Sequence, residues 1–379
     1  MSDRSILVVG GGIGGLATAI ALRANAGLDV TVIEKQADVH SSVFGVGIIQ
    51  PANAMRALDA IGCAEACMAD GYGATEWGSM HDLDGGKLRD MTATRIEGAE
   101  YPAMNGITRP RLHEILTARA LEVGVVIRYS TAFDTLEQHE DGVTVRFEDG
   151  GSERYDLVVG ADGVRSKVRE HVLGVELRPY YIGQSAFRLN MPRLPEIDRI
   201  ILQPGPTGMA GFVPIGKDLA YFFFNAEYER DQRPKGDEIY PALKQHLEGF
   251  GWLTGQLRDE FLRPDADIVL RPEESLIARA PWHRGRVVLI GDSVHTVTPH
   301  LGQGAAQAIE DGIVLAEELR RHDDDHEPAF DAYTARRYER CKLVVDTCLA
   351  IAEWEKGQKP GFDNIAATNL VLDTLAQQY

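Results

Sequence analysis

An apolar run, Ile6-Leu7-Val8-Val9, breaks into Gly10-Gly11-Gly12-Ile13-Gly14-Gly15 and resumes as an Ala-rich helical pattern from Leu16 to Ala26. A second apolar run, Leu28 to Ile33, ends on Glu34. Few folds accommodate that order. The spacing G-x-G-x-x-G between strand and helix asks for a tight turn at Gly10, close backbone approach of a ligand at Gly12, and close helix packing at Gly15. The helix start, with its free N–H groups and positive dipole end, faces an anionic group. An acid about 20 residues on accepts hydrogen bonds from a ribose diol. The unit is predicted to hold a dinucleotide with an unphosphorylated adenosine ribose, FAD or NAD rather than NADP.

Two later segments return to the same pattern of strand, glycine and acid. Tyr155 to Gly160 runs into Ala161-Asp162-Gly163 and then a helical stretch, and Arg286 to Ile290 runs into Gly291-Asp292. The latter continues through Pro299-His300-Leu301-Gly302-Gln303-Gly304-Ala305 into a long helix. Such continuous apolar runs are those of parallel strands buried on both faces. Between residues 176 and 279 the pattern changes to strand-like runs separated by Pro, Gly and Asp, which predicts a mainly antiparallel sheet. Val125 to Tyr129, Ala132 to Gln138 and Val143 to Phe147 read as a meander, and Asp84-Gly85-Gly86 as a hairpin turn. A loop with Gly45-Val46-Gly47-Ile48 follows the first unit. The expected fold class is α/β with an α+β insert: a dinucleotide-binding parallel sheet, an inserted mainly antiparallel substrate sheet, and C-terminal helices. The expected boundaries are 1–175 and 280–327 for the two parts of the cofactor domain, 176–279 for the substrate domain, and 328–379 for the final helices.

Composition excludes several function classes. A net charge of −18 over 379 residues argues against nucleic acid, whose binding needs a basic footprint, and offers no polybasic anchor for a membrane. No stretch approaches the roughly 18 apolar residues of a membrane span, and the N-terminus lacks the basic region and cleavage site of a signal peptide. Cys63, Cys67, Cys341 and Cys348 form no C-x-x-C and suggest a reducing cytoplasm rather than a disulfide scaffold.

The three signatures, Gly10 to Gly15, Ala161-Asp162-Gly163, and Gly291-Asp292 with Pro299-x-x-Gly302-Gln303-Gly304, stand in an order that resembles the single-component flavoprotein aromatic hydroxylases. That group is typified by p-hydroxybenzoate and salicylate hydroxylases, and the resemblance spans about residues 4 to 345. It implies that FAD is the cofactor and that NADH or NADPH acts as a transient cosubstrate. O2 would add to the reduced flavin as a C4a-hydroperoxide and deliver one oxygen to an electron-rich ring carbon. Carried over position by position, Gly10, Gly12, Ile13, Gly14, Gly15, Glu34 and Lys35 surround the adenosine ribose and pyrophosphate. Arg109 reaches FAD from a helix start, Ala132 offers a backbone contact to adenine, and Gly47 belongs to the loop near the cofactor. Asp162 stands where FAD and NAD(P)H both pass, and Asp292 binds the ribityl chain. Gly302, Gln303, Gly304 and Ala305 lie against the flavin ring, which Pro299 approaches. A helix beginning here aims unpaired N–H groups at the charge that reduced flavin carries. One departure is Pro51-Ala52-Asn53, where much of the family has Pro-Asn.

The substrate side is read from the insert. In Tyr221-Phe222-Phe223-Phe224, alternation puts Tyr221 and Phe223 on one face and Phe222 and Phe224 on the other. Tyr221, with a hydroxyl able to bind a substrate phenol, and Pro299 are the catalytic candidates. Arg188 for a substrate carboxylate, Phe212, Phe223 and His81 are the substrate-binding ones; Phe187 is a further pocket candidate. His295 is expected to orient the motif around Asp292. No metal site is expected, nor any partner beyond a small aromatic substrate and O2, with the chain a monomer or homodimer. Baeyer–Villiger and oxidative decarboxylase chemistry remain alternatives, as does a non-catalytic flavin-binding redox protein. A flavin halogenase would need a W-x-W-x-I-P signature, and Trp77, Trp252, Trp282 and Trp354 are scattered.

Overall fold

The run Ser5–Val9 becomes a strand whose last four residues are at most 5% exposed. In the computed structural model, which describes residues 4–39, 47–93, 95–96, 98–323 and 325–379, it sits inside a six-stranded sheet. Leu157–Gly160 pairs parallel on one side and Asp29–Ile33 on the other; Val287–Leu289 and Val126–Arg128 extend the parallel array outward. His283–Arg284 closes one edge antiparallel. Val126–Arg128 is therefore an edge strand of this sheet, and the expected meander starts only at Phe133–His139. The helix Ile13–Ala26 and the three-stranded antiparallel sheet Phe133–His139, Gly142–Phe147 and Ser152–Tyr155 share one core with these strands, which is why the strands are apolar without alternation.

The glycines behave as their spacing requires. Gly10 has φ +108°, and a Cβ there would stand 2.4 Å from the Ala161 carbonyl oxygen. A Cβ on Gly15 would stand 1.9 Å from the Gly10 carbonyl oxygen, so the helix Ile13–Ala26 lies directly on the turn. That helix packs along Gly304–Arg321, where a Cβ on Gly312 would lie 2.5–2.9 Å from Thr18.

A seven-stranded sheet builds the substrate half, in the order Val269–Ser275, Tyr180–Pro192, Leu219–Glu227, Gly208–Pro214, Ile200–Gly205, Gly78–His81 and Lys87–Met91. All its pairings are antiparallel except that of Gly78–His81 with Ile200–Gly205. Its last two strands come from the chain before residue 176. One face buries Phe187, Phe212, Phe222 and Phe224 under Leu243, Leu247, Phe250 and Leu253 from the helical segments Ile239–His246 and Trp252–Gln256 with their flanks. Tyr221 and Phe223 share the opposite face, as alternation predicts.

Between the two large sheets lies a small one, Gly47–Pro51, Met104–Thr108 and Tyr72–Ala74. A Cβ on Gly47 would meet the Tyr221 ring at 2.2 Å, and one on Gly106 would meet the Pro214 carbonyl at 1.9 Å. Of the loop expected at 45–48, Gly45 and Val46 lie outside the described residues, while Gly47 and Ile48 begin this strand. The helices His326–Glu355 and Asn364–Ala376 finish the fold.

Candidate active site

Two helix starts and two acids, Glu34 and Asp292, define one end of the candidate site. At the first helix the cap residue is Gly12, with no side-chain cap and nothing within 4 Å of where its Cβ would be. The N–H groups of Ile13 and Gly14 thus begin a helix with open space before them, as a pyrophosphate requires. Glu34 is 9% exposed and accepts the N–H groups of Gly11 and Gln36, both at 2.9 Å. Lys35 beside it is exposed. Ala132 follows Thr131, whose N–H donates to the Glu34 carbonyl, so it adjoins the ribose acid. His113 bonds the Gly11 carbonyl through Nε2 at 2.7 Å and fixes the glycine loop from behind.

Asp162 is committed elsewhere. Its carboxylate accepts the Ser166 hydroxyl at 2.5 Å and the N–H groups of Lys167 and Val168 at 2.8 and 3.1 Å, capping the helix Lys167–Leu173.

Asp292 and Arg109 mark the deep end. Each retains accessible surface although protein atoms close around it, as befits groups lining an internal cleft. Burial pushes the Asp292 carboxyl up, offset by His295 and Arg109, and burial also lowers the Arg109 guanidinium. Gly302 adopts the left-handed conformation (φ +62°), and a Cβ there would press on Ile49 at 3.2 Å. Gln303 caps the next helix by position only, leaving its first N–H groups uncapped by any side chain. Orphaned donors at two helix starts, an open Gly12 and an accessible acid at depth together fit a flavin dinucleotide.

The sheet face above this end carries Tyr221, Phe223 and Arg188. Arg188 pairs with Phe223 in register and so shares its face. It makes no hydrogen bond or ion pair among the described residues, and its charge acts on Arg109, Tyr221, Glu273 and His300. Tyr221 is 9% exposed; its hydroxyl has no partner among the described residues, and burial pushes it up to about 12. Three placements are corrected. Phe212 pairs in register with Phe222 and packs against it at 5.1 Å on the helix-covered face, as does Phe187 against Tyr228 and His246. His81 lies on that face too: its ring bonds Ser79 Oγ and the Gly85 carbonyl and stacks on Trp252 at 4.5 Å. None of these three side chains faces the side of the sheet that carries Tyr221.

Comparison with known proteins decides what this cleft belongs to. The family described as FAD binding domain matches residues 3–348. The chain belongs to the FAD-dependent aromatic monooxygenases. It is 33% identical over 364 residues to the putative FAD-dependent monooxygenase YetM of Bacillus subtilis (strain 168), covering 96% of each chain. It is 32% identical to 6-hydroxynicotinate 3-monooxygenase of Pseudomonas fluorescens, covering 89% of each. Klebsiella pneumoniae HpxO, solved with FAD and uric acid, shares the fold with a TM-score of 0.81 at 23% identity, over 98% of this chain and 96% of that one.

In this monooxygenase the turn at Gly302–Gly304 is held from behind by side chains that the motifs do not announce. The Gln303 amide turns inward to Asn53 and Gln307, at 3.1–3.2 and 3.0 Å, so it presents its backbone rather than its side chain to the cleft. Asn53 also donates to Glu310 at 2.9 Å. Arg337, fully buried, donates to Glu310, Asp311 and Gln307 at 2.5, 2.8 and 2.7 Å. Asp311 accepts from Gly291 N–H and His295 Nε2 at 2.8 and 2.6 Å, which ties the Asp292 turn to the same network. His295 and Arg337 hold the Asp311 carboxyl down at about 2, against the opposing effect of burial. The spacing Gln303, Gln307, Glu310, Asp311, a polar stripe at i, i+4, i+7 and i+8 on a helix buried along most of its length, was the available signal.

Proposed function

We propose that this monooxygenase hydroxylates a small aromatic or heteroaromatic acid that also carries a phenolic or equivalent ring hydroxyl. The observation that carries the reading is Arg188: a half-buried guanidinium with no ion pair among the described residues, on the same sheet face as a tyrosine hydroxyl with no partner among them. A carboxylate on Arg188 satisfies its planar fork bidentately. The relative from Pseudomonas fluorescens is named for 6-hydroxynicotinate, a hydroxylated heteroaromatic acid.

The residues then divide the work. Glu34 would hold the adenosine ribose, the first helix start the pyrophosphate, Arg109 and Asp292 the deep end, and Gly302 to Ala305 the isoalloxazine. FAD supplies the redox and oxygen-transfer chemistry when bound. Tyr221, kept protonated by burial, donates a hydrogen bond to the substrate's ring oxygen and stabilises that oxygen as it becomes an anion by losing its proton to solvent. Phe223 flanks the ring, and Pro299 with Gly302 shapes the approach to it. NADH or NADPH serves as the transient reductant, and Asp162 acts on it only through the turn that its carboxylate caps. The protein works in the cytoplasm as a monomer or homodimer, in keeping with four buried free thiols.

The test is NADH and NADPH oxidation by the FAD-loaded protein against a panel of hydroxylated and unhydroxylated aromatic acids, with products read by mass spectrometry. Substrate-stimulated oxidation with gain of one oxygen on the ring supports the reading. Loss of the carboxyl group or ring expansion would indicate decarboxylative or Baeyer–Villiger chemistry instead, and oxidation unaffected by every acid would refute it.

A further inference from the structure

Five buried polar atoms gather behind Arg188 with no hydrogen-bond partner among the described residues: both carboxylate oxygens of Glu273, Nε2 of His300, Oε1 of Gln184 and Oδ1 of Asn225. Glu355 holds them together. Its Oε2 accepts the Gln184 and Asn225 amides at 2.9 and 3.1 Å and stands 3.5 Å from His300 Nε2, which is 3.7 Å from Glu273 Oε2. The three ionisable side chains are 0–6% exposed and come from three separate elements: a strand, the turn Pro299–Leu301 and the end of a long helix. His300 Nδ1 is taken by the Thr298 hydroxyl at 2.9 Å, so only Nε2 faces the acids.

Two carboxylates sharing one histidine in a closed space compete for a proton, and each unpartnered atom carries an uncompensated desolvation cost. The other charged or titratable groups around them are few. Lys356 donates to the Ile182 carbonyl at 2.6 Å and lowers Glu273, while Tyr181 and Cys348 are neutral phenol and thiol neighbours. Arg271 shares the sheet face of Glu273 two residues along the same strand, and the other cation there among the described residues is Arg188. Its positive charge opposes protonation of both Glu273 and His300.

We propose that Glu273, His300 and Glu355 form a proton-holding site behind the substrate pocket, and that docking of an aromatic carboxylate on Arg188 draws one proton into it. The inference rests on the reading of Arg188 given above. An arriving carboxylate cancels the Arg188 charge, the two acids then feel each other's repulsion undiluted, and a proton from solvent binds to Glu273 or is shared with His300 Nε2. Only an O–H or N–H bond forms. The pocket thereby receives an anion without a change in its total charge, which spares the cost of burying an unpaired one. By reciprocity, the proton strengthens carboxylate binding as much as the carboxylate strengthens proton binding.

Benzoate is the probe, because its carboxylate is its only titrating group. The FAD-loaded protein is titrated with benzoate from about pH 6 to about pH 9, well above the range in which a carboxylic acid titrates, and binding is followed by the flavin absorbance. The expected Kd weakens as pH rises, up to about tenfold per pH unit where the site titrates. Calorimetry in phosphate and in Tris should show proton uptake approaching one. The double variant Glu273→Gln/His300→Gln should bind benzoate with a flat pH profile. A flat profile in the unsubstituted protein, or a slope that survives in the double variant, overturns the proton site. Arg188→Met tells the two readings apart: binding abolished beside a flat unsubstituted profile leaves Arg188 standing and removes the proton site, whereas binding retained in Arg188→Met overturns both.

Discussion

Replacing Tyr221 by Phe removes one oxygen atom and no interaction made among the described residues. The ring contacts with Gly47 and with Phe223, whose ring centroid lies 6.1 Å away, survive, and no donor or acceptor among the described residues loses a partner. Stability should therefore change by no more than about 0.5 kcal/mol. The effect on turnover is set by what the hydroxyl does for a ligand. Burial raises the phenol from 10.0 to about 12, so ionising it costs about 2.7 kcal/mol beyond the ordinary value. Tyr221 consequently remains a donor throughout the neutral range. A hydrogen bond from it to an oxygen that is becoming an anion is worth roughly 1.5–3 kcal/mol, or about ten- to a hundredfold in rate when felt in the transition state. Tyr221→Phe should hold FAD and melt as the parent does, yet hydroxylate ten- to a hundredfold more slowly and release more of its reducing equivalents as H2O2. The melting temperature and the ratio of product to NAD(P)H consumed are measured on the same preparation. Unchanged rate and coupling would refute the assignment, and a lowered melting temperature alongside them would mark Tyr221 as a packing residue.

Three further outcomes are expected. Asp292→Asn should weaken FAD binding in a flavin titration while leaving the melting temperature of the flavin-free protein equal or higher, because its surroundings disfavour the charged carboxylate, which has no side-chain donor among the described residues. Arg337→Met should lower unfolding free energy in urea by about 3–5 kcal/mol, since it strands Glu310 and Asp311 as buried unpaired acids. Asp311 titrates at about 2 in the folded protein against 3.8 ordinarily, so it contributes stability above about pH 4 that is lost as pH falls through about 2, on the order of 2 kcal/mol. Urea unfolding at a series of acidic pH values should show that loss, and Asp311→Asn should flatten it.

The centre of the parallel sheet was legible because three of its strands carry their reason locally: Ile6 to Val9, Leu157 to Gly160 and Val287 to Leu289 are apolar and each runs into a glycine turn, whereas the short edge strand Val126–Arg128 has no such signal and was read into the meander. The pairing of Tyr221 with Phe223 on one face was legible for a similar reason, since alternation is a property of a single strand. Phe212 and His81 were misplaced because their faces depend on register with another strand. Phe212 follows Phe222 across a pairing that no spacing reveals, and His81 follows Ser79 on a strand that joins the sheet from a hundred residues upstream. The Asn53–Gln303–Glu310–Arg337 network was hidden by distance along the chain, its members lying up to 284 residues apart. Only the polar stripe on Gly304–Arg321, odd on so buried a helix, hinted at it.

The contact between Gly47 and Tyr221 also constrains the order in which this pocket can change its substrate over generations. Any side chain at 47 would start 2.2 Å from the Tyr221 ring and 2.4 Å from Ile215 Cγ2. A lineage that enlarges residue 47 first passes through a form in which the strand Gly47–Pro51 is pushed off the sheet, carrying Ile49 away from the Gly302 turn. One that first shortens Tyr221 and Ile215 opens the room that a larger residue then fills. The same substitutions are thus tolerated in one sequence and purged in the other, and libraries that vary position 47 alone will sample almost none of the pockets this scaffold can make.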